Sequence, residues 1–412
     1  MAKWKQNFNP SELIELIENS KKIKDDGSVE FEGWDFKLYN TLLNSMIEVS
    51  EEIPDIDVRR MVDKSIFNVG GRGKITPKKI IAEVTSLENI YLRQPTNRYV
   101  LTTSISINRF TKLKRMHIGK TQVIFESILP TKYLKQQSEI KKAAHNDLFT
   151  EPPKDYLSAR IHVTAKSNAD AANIALDSID LLRGIWNLYE NRKHSFRYSF
   201  GGKPKPVNEI ILGPVHFLHY PSGKLASESM WWYEKTYIAG IKPKRITDIN
   251  KLYAVQLNIW KDLSRSHYKQ ELESIIVRYA RALDDRNWDN AFIRLWGILE
   301  YVTDTVKGTQ KETIKRAAFY YKDYSFAYQI FEQLREFRNG FVHASAENHE
   351  IESYLFQLKN LVEDLIIFNL TNSFRFKSIQ EFGSFLNLPH DLEGLNSKIA
   401  LATYAKKILY KI

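Results

Sequence analysis

The chain has 412 residues, 43% of them hydrophobic and 12% aromatic, with a formal net charge of +11 and no cysteine. That length and apolar content suit two or three globular domains, and the missing thiols exclude a disulfide framework, thiolate metal ligands and cysteine nucleophiles. No run of about 18 apolar residues occurs and Met1-Ala2-Lys3-Trp4-Lys5 lacks an apolar export signal, so a cytoplasmic protein with no membrane span is expected.

The charge is uneven. Residues 1–246 carry 38 Lys and Arg against 28 Asp and Glu, whereas 247–412 carry 22 against 21. A basic first half suits a module that holds a polyanion. Lys112, Lys114, Arg115 and Lys120 form one cluster, and Lys132, Lys135, Lys141 and Lys142 another. These eight are the candidate RNA contacts, although each cluster also fits ordinary solvated surface. Phe110 and Tyr133 beside them offer rings on which bases could stack.

In chain order, Pro10-Ser11-Glu12 opens a short helix carrying Leu13, Ile14 and Ile17. Gly70-Gly71-Arg72-Gly73-Lys74 lacks the spacing and the hydroxyl residue of a phosphate loop, so a simple turn is expected. Alternation at Tyr99, Leu101, Thr103, Ile105 and Ile107 predicts a strand, as do Val123–Phe125 and the series Leu157, Ala159, Ile161, Val163, Ala165. Ser167-Asn168 caps a long helix bearing Ala171, Ala175, Ile179, Leu182 and Trp186. Runs Glu209–Tyr220 and Leu225–Tyr237 flank Pro221-Ser222-Gly223 as a hairpin. His216 and His219 lie three apart in a strand-like run and so face opposite sides, a poor metal pair.

From residue 250 the period changes to that of helices. Leu272, Ile276, Tyr279 and Leu283 form one stripe, and Trp288, Phe292, Leu295, Leu299 and Val302 a second. Ile330, Phe331, Leu334, Phe337 and Phe341 form a third, and Ile351, Leu355, Leu358, Val362, Leu365 and Ile366 a fourth. The fold class is therefore an α+β N-terminal region followed by an all-α helical bundle. Residues 1–246 form the basic sensing or RNA-holding region with a sub-boundary near 152, residues 247–385 the bundle, and residues 386–412 a C-terminal helical tail.

Within the third stripe stands Arg338-Asn339-Gly340-Phe341-Val342-His343. Asn339 and His343, four apart, share a helix face with Arg338 at its edge. RNA can be cleaved without metal by such a set: imidazole moves the 2′-hydroxyl proton near neutral pH and guanidinium neutralises the phosphate. The structural reading is an Arg bonded to an acid, an Asn bonded to a carbonyl and a His near a helix C-terminus. Glu300 continues the Phe292–Trp296 stripe, either as an acid paired with a nearby cation or as a support that orients Arg338 or the imidazole.

The helix Ala291–Glu300, the segment Thr313-Ile314-Lys315-Arg316-Ala317-Ala318-Phe319 and the Arg338-Asn339…His343 set together resemble a HEPN domain over residues 250–370. The chain is similar to the Apea-like HEPN group, found in bacterial proteins associated with phage defence. The resemblance implies a metal-independent endoribonuclease that needs no cofactor, whose site is shared across a homodimer of the HEPN-like bundle. Arg338, Asn339 and His343 would be catalytic, with RNA as the substrate and a phage-derived trigger or an antitoxin as a further partner. Two alternatives stay open: a non-catalytic HEPN binding or dimerisation module with a sensor domain, and the toxin of a toxin–antitoxin pair.

Overall fold

The computed structural model describes residues 1–143, 151, 153–193, 205–226, 231–343 and 350–410, with the backbone alone at 34, 140–143, 231–232 and 341–343. An α/β N-terminal region is followed by a helical region.

The chain begins with β1 (Lys3–Trp4), α1 (Pro10–Asn19), β2 (Lys21–Ile23), β3 (Val29–Phe31), α2 (Trp34–Met46), β4 (Ile47–Glu48), α3 (Asp55–Gly71) and α4 (Pro77–Arg93). Asn9 caps α1 by accepting from the Ser11 amide, and Pro10 sits at the first turn, where its missing N–H costs nothing. These elements bury a core of their own, including Ile17, Leu43, Val62, Ile66 and Val84. The expected turn follows the end of α3 at Gly71, where the Arg72 amide donates to the Val69 carbonyl and its side chain pairs with Glu83 at 3.1 Å.

Next come β5 (Asn97–Asn108), β6 (Met116–Ile118), β7 (Thr121–Glu126), α5 (Thr131–Ala143), β8 (Tyr156–Ala165), α6 (Asn168–Glu190), β9 (Val215–His219) and β10 (Trp231–Tyr233). The strands form one antiparallel sheet in the order β10-β9-β5-β8-β7-β6. Alternation decides its faces: Leu101, Ile105, Val123, Leu157, Ile161 and Val163 point inward onto α6 and its neighbours. The hairpin forms with Trp231 opposite Phe217 and Gly223 at φ 102° in its turn, its first strand Val215–His219 shorter than the expected run Glu209–Tyr220.

The helical region holds α7 (Ile249–Arg265), α8 (Lys269–Leu283), α9 (Trp288–Val302), α10 (Gln310–Phe319), α11 (Tyr324–His343), α12 (Ile351–Thr371), α13 (Ile379–Leu386) and α14 (Leu392–Tyr410). Side-chain caps start several of them: Asp248 for α7, Asn287 for α9, Thr309 for α10 and Ser378 for α13. α10 lies between the second and third apolar stripes and holds the segment Thr313–Phe319.

One buried cluster runs from Tyr99 to Leu386, across residue 246, so the sheet and the bundle share a core. α6 is its axis. A Cβ at Gly184 would lie 2.7 Å from Ile276 Cγ2 and 2.8 Å from the Ile276 carbonyl oxygen, so only glycine lets α6 and α8 approach this closely.

Charge also enters this interior. Asp180 and Arg183 of α6 are both fully buried and paired, and Asp180 also meets Arg281 of α8. Arg281 continues to Glu234 at 2.7 Å, Glu234 to His216 at 3.4 Å, and His216 Nδ1 to the Thr103 hydroxyl of β5 at 2.7 Å. In the other direction Asn208 donates to Asp284 at 2.8 Å, and Asn191 donates to Asn208 and Tyr279. The Tyr279 hydroxyl donates to Glu363 of α12, which pairs with Lys359 at 3.2 Å. A polar string thus joins the sheet to α12. Each buried charge in it is compensated, as burial of an ion demands.

The first helical unit meets the rest through a polar seam. The Ser167 hydroxyl and the Tyr91 hydroxyl both donate to Asp57 Oδ2, at 2.7 and 3.0 Å, and Lys166 donates to the Leu92 carbonyl at 2.8 Å. At the other end of the chain α14 has no buried residue.

Candidate functional site

α11 carries the sequence-predicted triplet. Ala327, Phe331 and Leu334 are its buried stripe, and Arg338 falls one turn further along the same line. Phe337 anchors the next turn against Phe292 of α9, ring centroids 5.0 Å apart, and against Tyr354 of α12 at 4.2 Å. Arg338 is therefore half-buried, its Nε is shielded from water, and Nε has no hydrogen-bond partner among the described residues. Its Nη1 donates to Asn339 Oδ1 at 3.3 Å. No described carboxylate lies within ion-pair distance of it, whereas Arg335, three residues earlier, is paired with Glu332. Gly340 is exposed, and a Cβ added there would meet nothing within 4 Å among the described residues.

His343 is the last residue of α11, and its side chain lies outside the described residues. Glu300 is half-buried and accepts from the Trp296 indole N–H at 2.9 Å, one turn back on its own helix.

The basic clusters are brought together by the sheet. Lys112, Lys114, Arg115 and Lys120 are exposed around β6, and Lys132 and Lys135 are exposed on α5; the side chains of Lys141 and Lys142 lie outside the described residues. Lys114 sits over the Tyr253 ring of α7 at 5.5 Å. Tyr133 is 1% exposed, packed edge-on to His219 with Lys132 and Arg160 over its ring, so it cannot stack on a base. Phe110 remains free to do so at 72% exposure, with Arg109 over its ring.

Register shows what lies between those clusters. On the outer sheet face His117 stands opposite Gln122, and Gln122 opposite His162. One row along, Ile124 stands opposite Arg160. Arg160 holds Glu126 through two hydrogen bonds of 2.8 and 2.5 Å. His162 is held below its ordinary pKa of 6.5 by burial and by the charges of Arg160, Lys132 and Arg115, against the weaker pull of Glu126. Its Nε2 is buried without a partner among the described residues. The signal for this face was present in the sequence: the apolar series Leu157–Ala165 leaves Ser158, Arg160, His162 and Thr164 on the opposite side.

His216 and His219 face opposite sides of the sheet and are both buried. Burial pushes the His219 imidazole down to about 4, although its Nδ1 bonds the Gly223 carbonyl at 2.8 Å. Among the described residues no group of three or more His, Asp or Glu is placed to hold a metal ion, and no helix is long and apolar enough to cross a membrane.

No protein-family model matches the chain, and neither a curated protein nor a solved structure matches it significantly.

Proposed function

We propose that the protein is a metal-independent endoribonuclease of the HEPN type, working in antiphage defence by abortive infection. The observation that carries this reading is Arg338: a half-buried arginine on α11 with no described carboxylate partner, Asn339 at 3.3 Å, and His343 little more than one turn on. An arginine with no carboxylate partner among the described residues, at an apolar margin, is available to an incoming phosphate.

In this mechanism the 2′-hydroxyl of RNA attacks the adjacent phosphorus and the bond to the 5′-oxygen breaks. The products carry a 2′,3′-cyclic phosphate and a 5′-hydroxyl, and DNA is spared. His343 moves the proton, Arg338 neutralises the crowded phosphate, and Asn339 fixes the guanidinium. One chain supplies one such imidazole, so a homodimer through the bundle would provide both the base and the acid. The exposed, uncrowded backbone at Gly340 suits the approach of a second α11.

The test is RNA integrity in cells and in purified reactions with wild-type protein and His343→Ala. Cleavage by wild type and its loss in a well-folded His343→Ala supports the reading. Equal cleavage by both refutes it.

A further inference from the structure

We infer that the outer face of the sheet at β6, β7 and β8 binds the phosphate backbone of an RNA strand, with Arg115 and Lys132 as its charged flanks and His162 as the donor between them. The inference rests on the RNA-directed reading above and adds a place on the molecule where the strand lies.

The geometry comes first. Met116 and Ile118 of β6 point into the core, so Arg115 and His117 point outward, onto the same face as Gln122, Arg160 and His162. α5 lays Tyr133 and Gln137 on the other half of this face, where Gln137 donates to Thr102 at 2.8 Å, and among the described residues His117 on the β6–β7 half is exposed and Gln122 half-buried. Same-face residues along a strand are about 7 Å apart, and residues two strands apart are about 10 Å apart. Arg115 beside β6 and Arg160 on β8, two strands apart on that grid, are too widely spaced for one small anion but suit successive phosphates of a strand, with Lys132 added from α5.

The chemistry agrees. Glu126 is the carboxylate that acts on His162, and it is committed to Arg160. That pairing fixes Arg160 and leaves Arg115 and Lys132 as the uncompensated charges, although Lys132 also donates to the Pro221 carbonyl at 2.5 Å. His162 is half-buried on this face, and its Nε2, enclosed and unpartnered among the described residues, gains an oxyanion as partner when the ring turns outward.

A pH signature follows. The groups acting on His162 are Arg160 on its own strand, Glu126 on β7, Arg115 beside β6 and Lys132 on α5, while Val100 of β5 opposite it is uncharged. His117 lies beyond Gln122, its Nε2 2.9 Å from the amide nitrogen. In the free protein the three cations oppose protonation of His162. A bound phosphate offsets them and raises the imidazole's proton affinity, so binding takes up a proton and strengthens as pH falls toward 6.

The experiment uses the full chain carrying His343→Ala, so that RNA survives, and measures anisotropy of a labelled oligouridylate across salt at pH 8 and pH 6. Arg115→Gln and Lys132→Gln should each weaken binding about three- to tenfold and reduce the slope of log affinity against log salt by about 0.7. His162→Gln should weaken binding about two- to fivefold at pH 8, where a neutral hydrogen bond is exchanged, and lose the gain at pH 6. Melting curves establish that each variant is folded. Unchanged affinity and slope in both charge variants would overturn the site, as would a pH gain that survives in His162→Gln. Cleavage is scored separately in wild type: if cleavage is absent while this binding pattern holds, the nuclease reading fails and the site stands.

Discussion

Arg183 of α6 and Asp284 at the end of α8 form a two-point ion pair, Nη1 to Oδ1 at 2.8 Å and Nη2 to Oδ2 at 2.6 Å, with Arg183 wholly buried. The same guanidinium donates from Nε to Asp180 at 2.6 Å, so one cation satisfies two buried acids. Arg183→Met should therefore cost about 3–5 kcal/mol by leaving buried charge uncompensated. Denaturant unfolding is the measurement. Adding Asp284→Asn should restore part of the loss, whereas a single variant as stable as wild type would show that the pair is not a keystone.

Acid should weaken the fold in two steps. His219 is neutral in the folded chain, with its pKa lowered from 6.5 to about 4 by burial. Below 6.5 the unfolded chain takes up a proton that the folded chain does not. The stability present above 6.5 is therefore lost as pH falls to about 4, an amount of about 3 kcal/mol. Burial works against ionised Glu234, but the hydrogen bond from His216 and the charge of Arg281 outweigh it and hold its pKa at about 2. Its contribution is present above 4.5 and is lost as pH falls from there to about 2. Unfolding midpoints across pH 7 to 3 should fall throughout, and His219→Gln should flatten the upper part of that fall.

Arg338 should be irreplaceable by a simple charge. Arg338→Ala should lower RNA cleavage about 10²–10³-fold, and Arg338→Lys should recover little because an ammonium cannot make the two-point phosphate contact. Cleavage should persist in EDTA; its loss on chelation and return with added Mg²⁺ would move the chemistry to a metal site.

Gly340→Ala separates the single chain from the pair. Among the described residues nothing lies within 4 Å of the added methyl, and Ala favours the helix by about 1 kcal/mol. The separated chain should melt at the same temperature or higher. If a second α11 seats there, sedimentation should show weaker association and cleavage should fall with it. Unchanged association would remove Gly340 from the interface.

α14 should be the first element to yield to trypsin, at Lys398, Lys406 or Lys407. A helix of 19 residues with none buried has only its own turns to hold it. Its removal should leave the unfolding midpoint of the remainder unchanged.

The elements most legible in the sequence were those with one wet face and one dry face. Strand β8, with Leu157, Ile161 and Val163 alternating, and α9, with Phe292, Leu295 and Leu299 at helical spacing, declare both their type and their inner side. α10 and α5 were missed because their composition is polar and what they bury is mostly small or polar, as with Thr313, Ala317 and Ala318 of α10 and Gln137 of α5. The half-burial of Arg338 followed from its distance to Leu334. The Asp180–Arg183–Asp284 group did not, because an acid and a base three apart on a helix resemble an ordinary surface pair, and the third member lies 101 residues away. The convergence of Arg115 and Lys132 on His162 was likewise hidden, since strand order rather than sequence distance sets it.

Asp57 has a mechanical consequence. It receives Tyr91 from its own unit and Ser167 from the start of α6, so the joint between the first 93 residues and the rest turns on a shared carboxylate rather than on interlocked apolar side chains. Water can substitute for each of those hydrogen bonds once the joint opens, so its opening costs little compared with melting either core. The N-terminal unit is thus clasped to the first turn of the helix around which the sheet and the bundle are assembled by one buried carboxylate that both sides hold.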